Sequence, residues 1–356
     1  MRLAINGYGR VGRCLLRAWH ERKDTQSLSM VAINELASHD AIAYLTQYDS
    51  THGRFPAEVS CDVKHKASHP GGSLKHQLLI NKAGINKAGI NEIAIDLLQQ
   101  PDQSQLPWQA LGIDLVMECT GQITTAVEAK KHIDSGAKRV LLSNPGEASI
   151  PALVYGVNHQ SVNAEQGILS AASCTSNALV PVLSVLDKTF GVENGVVTTI
   201  HASMHDQPVI DAYHSQDLRR NRAASQSIIP VDTALAQGID RVLPNLQGKF
   251  VAHALRVPVN NVSALNVTIN LRDNVTEAQI NACLKDAAEN ELAGILGYTE
   301  ALLASCDFNH DARSGVIDAN QTRVSAGRTV NVLIWFDNEW AFANRMLDLA
   351  LFLNKQ

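Results

Sequence analysis

The chain has 356 residues, enough for two domains of ordinary size, and its 45% apolar and 18% charged content is that of a globular protein. A net charge of −5 excludes a general attraction to nucleic acid or anionic membrane, so any basic site is local. The six scattered cysteines form no CxxC pair and no His-flanked cluster, which argues against a disulfide framework or structural zinc, and no metal is expected. No apolar run reaches the roughly eighteen residues of a membrane span. Met1 to Ile5 run straight into a glycine motif, leaving no room for a signal peptide, so a cytoplasmic protein is expected.

Arg2 to Asn6 predict a short apolar strand, followed at once by Gly7-Tyr8-Gly9-Arg10-Val11-Gly12. Val11, Leu15, Leu16, Ala18 and Trp19 then recur at helical spacing, and Met30 to Ile33 predict a second strand ending on Asn34-Glu35. A third strand over 113–117 ends on Glu118-Cys119-Thr120-Gly121; a helix from about Thr125 to Gly136 and a strand from Arg139 to Ser143 follow. Such alternation predicts an α/β unit with a doubly wound, largely parallel sheet and a ligand crevice at the strand C-termini. Between these blocks, a polar stretch from about Ser60 to Gln105 repeats Ile80-Asn81-Lys82-Ala83-Gly84 as Ile85-Asn86-Lys87-Ala88-Gly89, read as a surface hairpin without a catalytic role.

The pattern changes after about residue 172. Leu265, Val267, Ile269 and Leu271 alternate with polar residues, and Val330 to Phe336 form another strand pattern. Thr276-Glu277-Ala278-Gln279 is a capping box opening a helix to about Asn290, and an amphipathic helix from Asn338 carries Trp340, Met346, Leu347 and Leu351. The second half is therefore expected to be an α+β domain on a largely antiparallel sheet, divided from the first at 173/174.

The glycine motif follows a strand, opens a helix and precedes an acidic residue at the end of the next strand, the context of a Rossmann-type dinucleotide site. Gly7 makes the tight turn, Gly9 lets backbone approach a pyrophosphate, and Gly12 lets the helix sit close to the sheet. Arg10 and Val11 bring N–H groups of the helix terminus. Glu35 would accept the adenosine ribose hydroxyls and repel a 2′-phosphate, so NAD is favoured over NADP. Thr120 and Ser143, at later strand ends, complete this set.

Cys174 lies in Ser173-Cys174-Thr175-Ser176-Asn177, between an apolar strand (168–172) and an apolar helix. A thiol there sits at a helix N-terminus, whose dipole lowers its pKa. His201 ends a strand over 195–200 and also faces a sheet rim. Spacing alone does not bring the two together.

Taken in order, the glycine motif, Ser173-Cys174-Thr175-Ser176-Asn177, Thr198-Thr199-Ile200-His201-Ala202, Arg256-Val257-Pro258 and Asp337-Asn338-Glu339-Trp340 resemble the glyceraldehyde-3-phosphate dehydrogenase family over nearly the whole chain. The resemblance implies that Cys174 attacks an aldehyde, that His201 activates it, and that Asn338, with Phe342 nearby, holds the nicotinamide carboxamide. It also implies a homotetramer, a terminal helix (338–356) returning to the cofactor domain, and a loop from Ser203 to about Gln226 that reaches a neighbouring subunit. Ser173, Thr175, Arg219, Arg222, Thr233 and Arg256 are the substrate-binding candidates.

Departures from the family pattern bear on the substrate. Threonines expected three and five residues after the histidine are replaced by Met204 and Asp206; methionine donates no hydrogen bond, and a carboxylate repels phosphate. Ala178 replaces a second cysteine. His205-Asp206-Gln207, Arg222-Ala223-Ala224-Ser225-Gln226-Ser227-Ile228-Ile229-Pro230 and Cys306 to Asp311 are similar to the branch of the family that oxidises D-erythrose 4-phosphate, with water releasing 4-phosphoerythronate on the way to pyridoxal 5′-phosphate. The alternatives are a phosphorylating triose phosphate enzyme and, more remotely, a non-catalytic nucleotide-responsive binding protein.

Overall fold

A computed structural model of the chain describes residues 1–64, 75–81, 92–163, 165–213 and 216–356; all of the 80–89 repeat beyond Asn81 lies outside the described residues. The backbone divides into two units, Met1–Pro151 with Val162–Ala171 and Met346–Gln356, and Ala152–Ser161 with Ala172–Arg345. No helix among the described residues is long and apolar enough to cross a membrane.

The first unit is built on eight strands: β1 (Arg2–Asn6), β2 (Ser29–Asn34), β3 (Glu58–Lys64), β4 (Lys75–Asn81), β5 (Glu92–Leu98), β6 (Leu115–Glu118), β7 (Arg139–Leu142) and β8 (Ile168–Ser170). Their order is β8-β7-β6-β1-β2-β5-β4-β3. The six from β8 to β5 are parallel, and β4 and β3 extend the sheet antiparallel. The polar stretch at 60–105, where no strand was expected outside the hairpin of the 80–89 repeat, thus holds much of three sheet strands. It reads as polar partly because Gln77 and Asp96, joined by a 2.7 Å hydrogen bond, are themselves buried, on the sheet face opposite Leu78 and Ile80.

Strand order reverses at β1, which lies between β2 and β6, so the C-terminal ends of β1 and β6 border the crevice where such sheets bind ligands. Helix α1 (Arg10–Glu21) buries Cys14, Leu15 and Ala18 but begins at Gly9 without a side-chain cap or an acidic residue in its first turn. Helix α2 (Ala126–Asp134) instead opens on a capping box, Thr125 with Glu128. One helix terminus is satisfied by its own side chains, and the other leaves its N–H groups for a ligand.

The second unit has seven strands: β9 (Val192–Ala202), β10 (Ile229–Val231), β11 (Phe250–Val257), β12 (Ser263–Leu271), β13 (Leu296–Thr299), β14 (Gly315–Ser325) and β15 (Thr329–Phe336), ordered β10-β11-β9-β12-β15-β14-β13. The pairs β9/β11 and β13/β14 are parallel and the other four antiparallel. On β12 the alternation is the expected one, with Leu265, Val267, Ile269 and Leu271 buried. They pack with Leu179, Leu183 and Leu186 of α3 (Cys174–Phe190) and Ile280 and Leu284 of α5 (Glu277–Glu289); α4 (Leu235–Val242) adds Ile239. Each such side chain contributes about 1.5–3 kcal/mol of burial. Gly315 lets α3 lie close to the sheet, since a Cβ there would stand 3.0 Å from the Ala178 carbonyl oxygen.

The terminal helix, α6 (Trp340–Leu353), is not amphipathic as expected: every residue from Trp340 to Ala350 is buried. Its polar residues are partnered within the fold. Asn344 Nδ2 donates to Trp340 O at 2.9 Å, Arg345 Nη1 to Gly294 O at 3.2 Å, and Asp348 accepts from Arg22 Nη2 at 2.6 Å.

Candidate active site

The glycine turn of the first unit is shaped by close approach. Gly7 has φ +87°, and a Cβ there would lie 2.6 Å from Thr120 N; a Cβ on Gly12 would lie 2.4 Å from the Gly7 carbonyl oxygen. At Gly9 a Cβ would meet nothing within 4 Å, so the fold does not need that glycine, and open space beside a bare helix terminus suits an approaching pyrophosphate. Arg10 turns its guanidinium to Asp49, so its peptide N–H is what it offers at the helix end beside Val11. Glu35 accepts from Tyr8 N at 2.8 Å, Leu36 N at 2.8 Å and Ala37 N at 3.3 Å. A carboxylate has about four lone-pair sites, so one remains for a ribose hydroxyl. These residues fit a dinucleotide.

Beneath the turn lies a feature that sequence reading missed. Glu118, fully buried at the end of β6, accepts from Asn6 Nδ2 at 2.5 Å, Thr120 N at 2.8 Å, the Thr120 hydroxyl, and His132 Nε2 at 3.1 Å. Trp108 Nε1 donates to His132 Nδ1 at 2.9 Å. Because indole N–H only donates, His132 Nδ1 is bare and Nε2–H faces the carboxylate. Thr120 is thereby held at its backbone and its hydroxyl. Ser143 is tied in through its N–H to Glu118 O at 2.9 Å.

In the second unit the chain turns sharply into α3. Ala172 has φ +59°, a left-handed conformation that costs a non-glycine residue roughly 1–3 kcal/mol, so the expected strand over 168–172 ends early, at Ser170. Ser173 caps the helix, its Oγ accepting from Ser176 N at 3.0 Å and lying 2.9 Å from Thr175 Oγ1. Cys174 is the first helical residue. His201 lies inside β9 rather than just beyond it, on the same buried face as Thr199, and its Nε2 is 3.8 Å from Cys174 Sγ. The two residues that spacing left apart are adjacent in the fold.

Register supplies the third group. His201 pairs with Arg256 across the parallel β9/β11 ladder. His201 Nδ1 lies 2.8 Å from Ala202 O and 3.0 Å from Arg256 Nη1, which is also 3.5 Å from Ala202 O. A carbonyl only accepts, so Nδ1 carries the proton and Nε2 presents its lone pair to the sulfur; the guanidinium shares the carbonyl and faces the imidazole as a charge. Burial, then the Arg256 charge, pull the His201 pKa down to about 4. Burial pushes the Cys174 thiol up to about 11, against the opposing pull of helix N–H groups and Arg256. The expected lowering of the thiol pKa by the helix terminus is outweighed, and the resting pair is neutral.

The remaining candidates are dispersed. Arg222 is exposed and paired with Asp211 at 2.9 Å. Arg219 lines a depression of about 580 Å³ with Thr198, Asp217, Asp232 and His253; Thr198 points to the sheet face opposite Thr199 and His201. Thr233 Oγ1 accepts from Leu235 N at 3.3 Å, at the start of α4. Arg220, absent from the substrate-binding candidates, is the arginine that reaches Asp206, at 3.3 Å. Nothing in its spacing from Asp206 signals that contact. Asp206 Oδ1 and Gln207 Nε2 are buried without a partner among the described residues. Asn338 accepts from Ser263 Oγ at 2.9 Å, and Phe342 is buried one turn further on.

The family model described as glyceraldehyde 3-phosphate dehydrogenase, NAD binding domain, matches residues 1–126, and that described as glyceraldehyde 3-phosphate dehydrogenase, C-terminal domain, matches residues 173–338. These two matches cover most of the chain and take in the glycine turn, Cys174, His201, Arg256 and Asn338. The chain belongs to the glyceraldehyde 3-phosphate dehydrogenase family and is an NAD-dependent dehydrogenase of that family.

Proposed function

We propose that this dehydrogenase oxidises D-erythrose 4-phosphate to 4-phosphoerythronate through a thioester on Cys174 that water releases, as a homotetramer supplying a precursor of pyridoxal 5′-phosphate. His201 Nε2 takes the thiol proton as Cys174 Sγ bonds to the aldehyde carbon. The Cys174 N–H and the imidazolium stabilise the oxyanion of the resulting hemithioacetal. NAD, when bound, supplies the hydride acceptor that leaves a thioester. His201 then gives up that first proton to solvent and takes one from the water that adds to the thioester carbon; as the C–S bond breaks, this proton passes to the departing sulfur and the thiol is restored. Arg256, beside the pair, is the cation suited to the substrate phosphoryl group.

The observation that carries the choice of acceptor is Asp206, which acts electrostatically on both Arg256 and His201 and has one oxygen bare. A like charge in a partly screened site repels an incoming phosphate, and neutral water avoids that cost. Met204 offers no compensating donor. The Arg220–Asp206 ion pair favours the second reading, a phosphorylating triose phosphate enzyme, because it offsets part of that charge. Steady-state assays with each aldehyde, with and without inorganic phosphate, separate the two. Preference for the tetrose and turnover without phosphate are expected; strict phosphate dependence with preference for the triose overturns the proposal.

A further inference from the structure

Two segments far apart in sequence are clasped at one end of β12 and β15, neighbouring central strands of the catalytic sheet. Asp337 is buried; its Oδ1 accepts from Glu339 N at 3.0 Å and Trp340 N at 2.8 Å, and its Oδ2 from Asn261 Nδ2 at 2.9 Å and His310 N at 2.7 Å. Ser263, also buried, receives Ala202 N–H at 3.0 Å and donates its own proton to Asn338 Oδ1 at 2.9 Å. Between Asn261 and Ser263, Val262 has φ +67°, a conformation that costs a β-branched residue roughly 1–3 kcal/mol. The strained residue lies between the two side chains that make the clasp.

We propose that Ser263 is a positioning residue that fixes the amide of Asn338 with its nitrogen outward and ties it to the strand end bearing His201. This rests on the reading that Asn338 binds the nicotinamide carboxamide. A hydroxyl has one proton. Here it goes to Asn338, and the Ala202 N–H occupies an oxygen lone pair. Asn338 Oδ1 is thereby consumed, and both N–H groups of Nδ2 remain without a partner among the described residues. A carboxamide oxygen needs that donor. With Ser263 removed, the asparagine amide turns over freely and offers oxygen as readily as nitrogen. Ala202, freed at its N–H, is the residue whose carbonyl holds His201 Nδ1, so one hydroxyl sets the orientation of both the cofactor anchor and the base.

The test is a double-mutant cycle, Ser263→Ala, Asn338→Ala and both together, with binding of NAD and of ADP-ribose, which lacks the nicotinamide, measured by calorimetry. Ser263→Ala is expected to weaken NAD about tenfold, the effect of losing one hydrogen-bonded orientation, and to leave ADP-ribose within twofold. The double variant should bind NAD no more weakly than Asn338→Ala alone, and Ser263→Thr, which keeps the hydroxyl, should restore affinity. Equal weakening of both ligands, or single effects that multiply in the double variant, means Ser263 acts only through general stability and overturns the proposal. If Asn338→Ala binds NAD normally, the assignment of Asn338 itself falls. If Asn338→Ala is weak and Ser263→Ala is normal, only the relay falls.

Discussion

The dinucleotide turn and the thiol site are made of different materials. The turn is backbone: two glycines forced by close approach, one left open, and a helix terminus with no cap of its own. The thiol site is side chains drawn from residues 174, 201, 256, 263 and 338, and it exists only because register sets β9 beside both β11 and β12. A site of backbone tolerates changes to the side chains around it but almost none to its glycines. A site of side chains tolerates remote backbone adjustment but depends on each hydrogen bond that orients a ring or an amide.

The sharpest way to break that contrast is at the glycines. Gly12→Ala places a methyl 2.4 Å from the Gly7 carbonyl oxygen, so α1 must shift; overpacking of about 1–3 kcal/mol at the pyrophosphate cradle should weaken NAD about tenfold to a hundredfold and lower the melting temperature. Gly9→Ala meets nothing within 4 Å and should leave melting unchanged while still weakening NAD. Equal melting losses in both variants would show that Gly9 is also structural. Next is Glu118→Gln, which turns an amide NH2 toward two of the four donors in a buried site. A loss of about 2–4 kcal/mol is expected by denaturant titration, and an unchanged midpoint would mean the network carries no stability.

Smaller effects test the thiol site. With Cys174 raised to about 11, the thiol is protonated at neutral pH, and its alkylation by iodoacetamide in the resting enzyme should keep rising with pH past 9. A plateau reached below pH 7 would mean a resting thiolate. Because His201 is lowered to about 4, its neutral form persists through pH 5–6, so the acid limb of kcat/KM should fall nearer pH 4 than pH 6.5. The smallest effect concerns oxidation. With Ala178 one turn beyond Cys174, peroxide treatment should give a sulfenic acid or a mixed disulfide; mass spectrometry showing an intrachain Cys174 disulfide would refute that.

Legibility in the sequence follows the same division. The glycine turn and the capping boxes at Thr125 and Thr276 are local grammar, and the structure shows them where the residue types require. The alternation of β12 was equally plain, because one face is buried. Strands β3 to β5 were hidden: they lie toward one edge of the sheet, β3 and β4 run antiparallel, and Gln77 and Asp96 are polar residues at buried positions. The polar residues of α6 suggested a wet face, but their partners, Arg22 and Gly294, are far away in the chain. Ala172 and Val262 carry no composition signal for positive φ, and Ser263 is a hydroxyl at a strand end like many others. Arginines were the hardest, since Arg219, Arg220 and Arg222 are neighbours in sequence with three different surroundings.

The central claim is that Cys174 is the covalent nucleophile while the dinucleotide turn stands independent of it. Cys174→Ala should bind NAD within about twofold of the parent and lose aldehyde oxidation by several orders of magnitude. Aldehyde oxidation retained at a comparable rate, with NAD bound normally, would contradict the account.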